Sequence, residues 1–242
     1  MQVEAWLQRA ANSAPDLTAL QTAQERLSYA ELWQAARLGA AELAARGARE
    51  GARVAIALPP GIAFAQALHA SFLLGAIAVP VDLRLTPAER ERLAARADVL
   101  VEHPLHTCSA SDAEALESAE SSLTHDLDAV CVTIHTSGTT SAPRPIELTY
   151  GNLLWSALGS AVALGVDPRE RWLCALPLSH VGGLSILVRS AIYATTAVVH
   201  ERFDTERVLE ALRGDRITLV SLVSTTLARL LDAGLRDPPR LR

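Results

Sequence analysis

The amino-acid sequence predicts an α/β protein of layered, mostly parallel sheets flanked by helices. Three observations point there. Apolar runs at residues 53–58, 76–81 and 129–134 are short enough to be strands covered on both faces. Longer stretches with helical spacing lie between them. Those stretches carry their own punctuation: capping boxes at Ser28-Tyr29-Ala30-Glu31 and Thr86-Pro87-Ala88-Glu89, and glycines 47, 75, 165, 214 and 234 just past their ends. Strand and helix in alternation make parallel sheets with helices on their faces.

Taken in order, Val3, Trp6, Leu7 and Ala10 fall at helical spacing and predict a short amphipathic helix. Residues 16–20 predict a strand before a turn at Gln24-Glu25-Arg26. The first capping box opens a helix carrying Leu32, Ala36, Gly39 and Leu43, stopped by Gly47. Strand 53–58, helix 61–74 and strand 76–81 follow, and the second capping box, with proline at the first helical position, opens a helix to about residue 97. Residues 98–102 read as a strand. Residues 103–128 lose apolar periodicity and read as a surface connection, with His103, His106 and His125 as solvated side chains, since no metal-ligand spacing is present. Beyond strand 129–134, residues 151–164 form an amphipathic helix and 171–176 a strand. A helix at about 184–193, a strand at 195–200, a helix capped by Asp204, a strand at 217–223 and a helix capped by Ser224 complete the chain. The expected division is one α/β lobe over 1–128, with the polar connection at 103–128, and a second over 129–242.

Composition bounds the chemistry. A chain of 242 residues with 50% hydrophobic residues is ample for a core. Against 27 acidic residues stand 22 basic ones, all arginine, for a net charge of −5. No basic block is there to neutralise nucleic acid or an anionic membrane. Cys108, Cys131 and Cys174 are widely spaced and include no CxxC, which argues against a disulfide framework or a zinc site. The start, Met1-Gln2-Val3-Glu4-Ala5-Trp6, has no charged-then-apolar leader, so a cytoplasmic protein is expected. Residues 61–81 carry no charge, but Gln66, His69, Ser71 and Gly75 break them into a helix and a strand rather than a membrane span.

Chemistry concentrates at Thr136-Ser137-Gly138-Thr139-Thr140-Ser141-Ala142-Pro143-Arg144, where five hydroxyls, a glycine and a guanidinium fall within nine residues. Short hydroxyl side chains and a glycine let backbone N–H groups curl toward an anion, and arginine adds a planar charged fork suited to phosphate oxygens. The loop leaves the carboxyl end of a strand, where open α/β sheets bind ligands. It is neither a Walker loop nor a GxGxxG turn. A plain polar linker has the same composition.

The order TSGTTSAPR followed by Leu148-Thr149-Tyr150-Gly151-Asn152 closely resembles the phosphate loop of the AMP-forming adenylating enzymes, the acyl-CoA synthetases and their relatives. Their usual text is TSGTTGxPKG and then LTHxN. Ser141, Arg144 and Pro145 stand here for Gly, Lys and Gly, and Pro145 removes an N–H and drives Arg144 toward extended backbone. LSYAEL, GARVAIALP, GAIAVPVDLRLTPAE and LPLSHVGGLSIL have counterparts in the same order, so the resemblance covers nearly the whole chain. Residues 179–212 and 217–231 look most like the 2-succinylbenzoate:CoA ligases of menaquinone synthesis, which have proline where Ser224 stands.

The resemblance implies the incomplete N-terminal domain of an adenylate-forming enzyme that takes a carboxylic acid, ATP with Mg2+, and CoA. Thr136, Ser137, Gly138, Thr139 and Thr140 would cradle phosphate with Arg144 as cationic partner. His180 would shape the acyl pocket or gate the second half-reaction. Gly182, Gly183, Ser224 and Thr225 would line the substrate site. The family's adenine-binding segment, its ribose-binding acid and its lysine-bearing C-terminal domain are expected beyond Arg242, so this chain alone is expected to be inactive and a complementing C-terminal polypeptide is a possible partner. Two alternatives stay open: a nucleotide-binding fragment without turnover, and an aryl- or fatty-acid CoA ligase.

Overall fold

A computed structural model describes residues 1–106, 124–136, 144–214 and 216–242. Among them, twelve strands and eight helices run in the order β1 (Gln2–Glu4), α1 (Trp6–Ser13), β2 (Thr18–Gln21), β3 (Arg26–Ser28), α2 (Tyr29–Ala45), β4 (Arg53–Ile56), α3 (Ile62–Leu73), β5 (Ile77–Pro80), α4 (Pro87–Ala94) and β6 (Val99–Val101). There follow β7 (Thr124–Asp126), β8 (Val130–Thr136), β9 (Arg144–Thr149), α5 (Tyr150–Leu164), β10 (Arg171–Cys174), α6 (Val181–Tyr193), β11 (Thr196–Val199), α7 (Thr205–Gly214), β12 (Leu219–Val220) and α8 (Ser224–Asp232).

Two five-stranded sheets result, one in the order β6-β4-β5-β8-β9 and one in the order β12-β10-β11-β2-β3. Pairing is parallel except for β8 with β9 and β2 with β3. The boundary expected at 128/129 does not sort strands into sheets, because each sheet takes strands from both sides of it. One apolar core holds residues of both sheets and of α1, α2, α3, α5 and α6. Side chains alternate along β10: Trp172 and Cys174 join that core, while Leu173 and, just past the strand, Ala175 join a smaller one beneath α7 and α8. The uncharged α3 is buried along its whole length from Phe64 to Leu73. Its Gln66 donates to the carbonyls of Ala35 and His106 at 3.0 and 3.2 Å, which is how an amide survives in that core. No helix among the described residues is long and apolar enough to cross a membrane.

Both predicted capping boxes are present. Ser28 accepts from Glu31 N–H at 3.2 Å while Ser28 N–H donates to the Glu31 carboxylate at 2.7 Å. Thr86 and Glu89 repeat the exchange at 3.4 and 2.9 Å. Asp204 caps α7 by accepting from Arg207 N–H at 3.0 Å.

Four expectations are corrected. Val3 belongs to a strand, paired antiparallel with His125 of β7, and the helix begins at Trp6. His125 is not a solvated loop residue: it is 3% exposed, accepts from Trp6 N–H at 3.3 Å, and stacks on Tyr150 with ring centroids 4.2 Å apart. The strand expected over 217–223 is only Leu219–Val220. Ser224 does not cap α8; Val223 holds that position, and the Thr226 hydroxyl bonds to the Val223 backbone N–H and C=O at 3.1 and 2.8 Å.

Candidate functional site

The candidate site gathers the segments that follow β5 and β10, from different sheets, and the end of β8, the neighbour of β5. Strand β8 ends at Thr136, and β9 returns antiparallel with Arg144 opposite Thr136 and Pro145 opposite His135. Pro145 is tolerated because β9 is an edge strand, where a missing N–H costs least. Ser137, Gly138, Thr139 and Thr140 lie outside the described residues. Beyond β9, α5 begins with a third reciprocal cap, Thr149 with Asn152, at 3.0 and 3.1 Å. Gly151 is required there, since a Cβ would stand 2.7 Å from the Leu127 carbonyl oxygen.

Strand β5 pairs parallel with β8 through Ala78 and Val132. Continuing that register brings Asp82, past the end of β5, level with Thr136. Asp82 grips Arg84: the guanidinium donates to its two oxygens at 2.9 and 2.6 Å, and Arg84 N–H adds a further bond at 3.0 Å. The hydrogen-bonded guanidinium holds the Asp82 carboxyl below its usual range and raises Arg84 in turn. Neither residue stands out in the sequence, because an aspartate and an arginine in a polar turn before a helix look like ordinary turn chemistry.

His180 reaches this pair from the other sheet. It is the N-cap residue of α6 and makes no side-chain cap bond. Instead Arg84 Nη2 lies 3.1 Å from His180 Nε2. The helix expected from about residue 184 begins at Val181, so that Gly182 and Gly183, which were left before it, form its first turn. Ser224 and Thr225 sit exposed at the start of α8, beyond β12, the parallel neighbour of β10.

Between α5 and α6 runs a cleft of about 230 Å³, lined by Leu148, Leu153, Val181 and Val188 together with Asn152, Ser156, Ser185 and Arg189. One end is therefore the residue next to His180. Strand β9 runs from Arg144 to Thr149, and its Leu148 lines the cleft. Arg189 is the cleft's cation: it donates to Ser156 Oγ at 2.9 Å and lies over the Trp172 ring at 5.5 Å. Desolvation lowers its pKa, and its Nε has no partner among the described residues. A partly desolvated guanidinium, in a cleft whose other lining is four apolar residues, an asparagine and two serines, is a ready seat for a carboxylate. Sequence reading missed it because helix α6 otherwise reads as plain core. No group of three or more potential metal-ligating side chains occurs among the described residues.

The chain is 36% identical over 251 residues to a 2-succinylbenzoate–CoA ligase of Bacillus subtilis strain 168, covering 98% of this chain and 52% of that protein. The o-succinylbenzoate CoA synthetase of Bacillus subtilis, solved in complex with its acyl-adenylate intermediate, superposes with a TM-score of 0.88 at 34% identity, over 100% of this chain and 67% of that one. The same protein in complex with ATP and magnesium ion gives a TM-score of 0.86 at 34% identity, over 100% of this chain and 54% of that one. The chain thus spans about half the length of the curated relatives it matches. The family model described as AMP-binding enzyme matches residues 7–242, and the chain belongs to that family.

Proposed function

We propose that this chain is the phosphate-binding and acid-binding part of an AMP-forming acid:CoA ligase, and that its acid is 2-succinylbenzoate. Supporting the first half is the hydroxyl-rich stretch of sequence between Thr136, at the carboxyl end of β8, and Arg144, which opens β9. The observation that carries the second half is Arg189, a partly desolvated cation in a cleft that is also lined by Val181, the residue after His180. 2-Succinylbenzoate has two carboxylates, one to react and one for Arg189 to hold, whereas a fatty acid offers the arginine nothing.

In the reaction, a carboxylate oxygen attacks the α-phosphorus of ATP and pyrophosphate leaves. The CoA thiol then attacks the acyl carbon, loses its proton and displaces AMP. Catalysis of the first step rests on position and charge. Thr136, Ser137, Gly138, Thr139 and Thr140 would hold the leaving phosphates with Arg144, and Mg2+ arrives as the counter-ion of ATP. Gly182, Gly183, Ser224 and Thr225 would border the acid. We read the protein as cytoplasmic, and as needing the polypeptide that corresponds to the second half of its relatives, in the same chain or as a partner.

The test is pyrophosphate release, from this chain joined to that second half, with a panel of carboxylates. Release that depends on 2-succinylbenzoate supports the reading, and release with none of the acids overturns it. The 242-residue chain alone is expected to form no acyl-CoA.

A further inference from the structure

Arg84 and His180 lie 96 residues apart in sequence and reach each other from loops of different sheets, so their 3.1 Å contact is not a by-product of local geometry. Arg84 does not come to it loosely. Three side-chain bonds to Asp82 fix the plane of its guanidinium, and one of the nitrogens so fixed, Nη2, is the one that faces the imidazole. A guanidinium has donors only. His180 Nε2 must therefore offer its lone pair, and the proton of the neutral ring sits on Nδ1. The opposite arrangement, with the proton on Nε2 and directed to Asp82, fails on distance: that oxygen is 3.7 Å away, and the N–H would face the N–H of Arg84. Helix α6 does not decide the matter, because the His180 side chain makes no bond to it.

We infer that Asp82 and Arg84 are positioning residues for His180, which they lock into the Nδ1–H tautomer. The ring edge that Arg84 leaves open then carries a hydrogen-bond donor, on the residue that precedes Val181 of the cleft. The consequence rests on the ligase reading: a donor there meets the oxygens of a bound carboxylate or acyl-adenylate, whereas the other tautomer would turn a lone pair toward them.

The experiment is long-range 1H–15N NMR of this 25.8 kDa chain with 15N-labelled histidine at neutral pH, the His180 signals being identified by their loss in His180→Gln. The expected result is a protonated Nδ1 and a lone pair on Nε2 in the wild type. In Arg84→Met the major tautomer reverses to Nε2–H, the form an unconstrained histidine side chain prefers, and Arg84→Lys, which keeps a donor, restores the wild-type form. A wild-type ring protonated on Nε2, or a tautomer unchanged in Arg84→Met, overturns the inference. If Arg84→Met loses its dispersed amide spectrum, Asp82→Asn, which keeps every side chain's size, is read in its place with the same two outcomes. The spectrum needs neither ATP nor acid. A joined enzyme without ATP-dependent activity therefore overturns the ligase reading alone, and an Nε2–H ring in the wild type overturns the positioning role alone.

Discussion

Gly183 packs so closely on Pro177 that a Cβ built on it would stand 2.4 Å from the proline carbonyl oxygen, and 2.8 Å from that of Leu176. The loop after β10 is thus folded flat onto the first turn of α6, and His180, between the two, has little freedom. Alanine normally stabilises a helix over glycine by about 1 kcal/mol. Here backbone must move, and overpacking of that kind costs about 1–3 kcal/mol. Gly183→Ala is expected to lower the urea midpoint. Gly182→Ala is the control, because its nearest neighbour is the flexible end of Leu176 at 3.3 Å, and it is expected to be neutral or stabilising. Equal effects at the two positions would contradict this account.

Acid should destabilise the core through two histidines. His69 and His125 are 4% and 3% exposed. Burial lowers His69 to about 4, and burial with the nearby His69 lowers His125 to about 3. Both values lie below the 6.5 of a free histidine, so the unfolded chain binds more protons as pH falls. Stability is complete above about pH 6.5 and declines from there toward pH 4 for His69 and pH 3 for His125, at about 1.4 kcal/mol per pH unit for each group. His125→Phe keeps a ring on Tyr150 and removes one titrating group. It lowers the plateau, since Trp6 N–H loses its acceptor, but halves the slope of stability against pH between 6 and 5. Parallel slopes in denaturant titrations of the two proteins would rule out the histidines as the cause.

What was legible in the sequence was local. Both capping boxes, the glycine stops and the strand before the phosphate loop depend on residues within a few positions of one another. Partners far apart in the chain were not legible. His125 read as solvated because its own segment is polar, yet its burial comes from Trp6 and Tyr150. His180 was found through a motif, whereas Arg84 acquires its role only when two sheets bring residues 96 positions apart together. Arg189 was hidden for the same reason, since Trp172 and Ser156 reach it from other elements. The start of α6 was misplaced because two adjacent glycines read as a turn, when one of them is there to admit a carbonyl.

Arg144 faces Thr136 across the mouth of the β8–β9 hairpin, the position from which a guanidinium would reach phosphate oxygens held by the loop. Hydrogen bonds to a charged group contribute about 1.5–3 kcal/mol. Arg144→Gln is therefore expected to weaken MgATP binding to this chain by roughly tenfold or more in calorimetry. Raising the salt concentration should narrow the gap, since the lost term is ionic and the residue is exposed. Unchanged affinity would remove Arg144 from the phosphate site.

Arg189 offers the sharpest test of the acid. Its guanidinium lies over Trp172, so a carboxylate that draws the cation aside changes the surroundings of that indole. Titrating the chain with 2-succinylbenzoate should alter Trp172 emission, and Trp172→Phe identifies the signal among the four tryptophans. Arg189→Gln keeps a polar group within reach of Ser156 but removes the charge, at a cost of about 1.5–3 kcal/mol, or roughly ten- to a hundredfold in affinity. Benzoate, with a single carboxylate, cannot fill both ends of the cleft and should bind wild type more weakly than 2-succinylbenzoate does. A variant that binds 2-succinylbenzoate as tightly as wild type would show that the second carboxylate is held elsewhere.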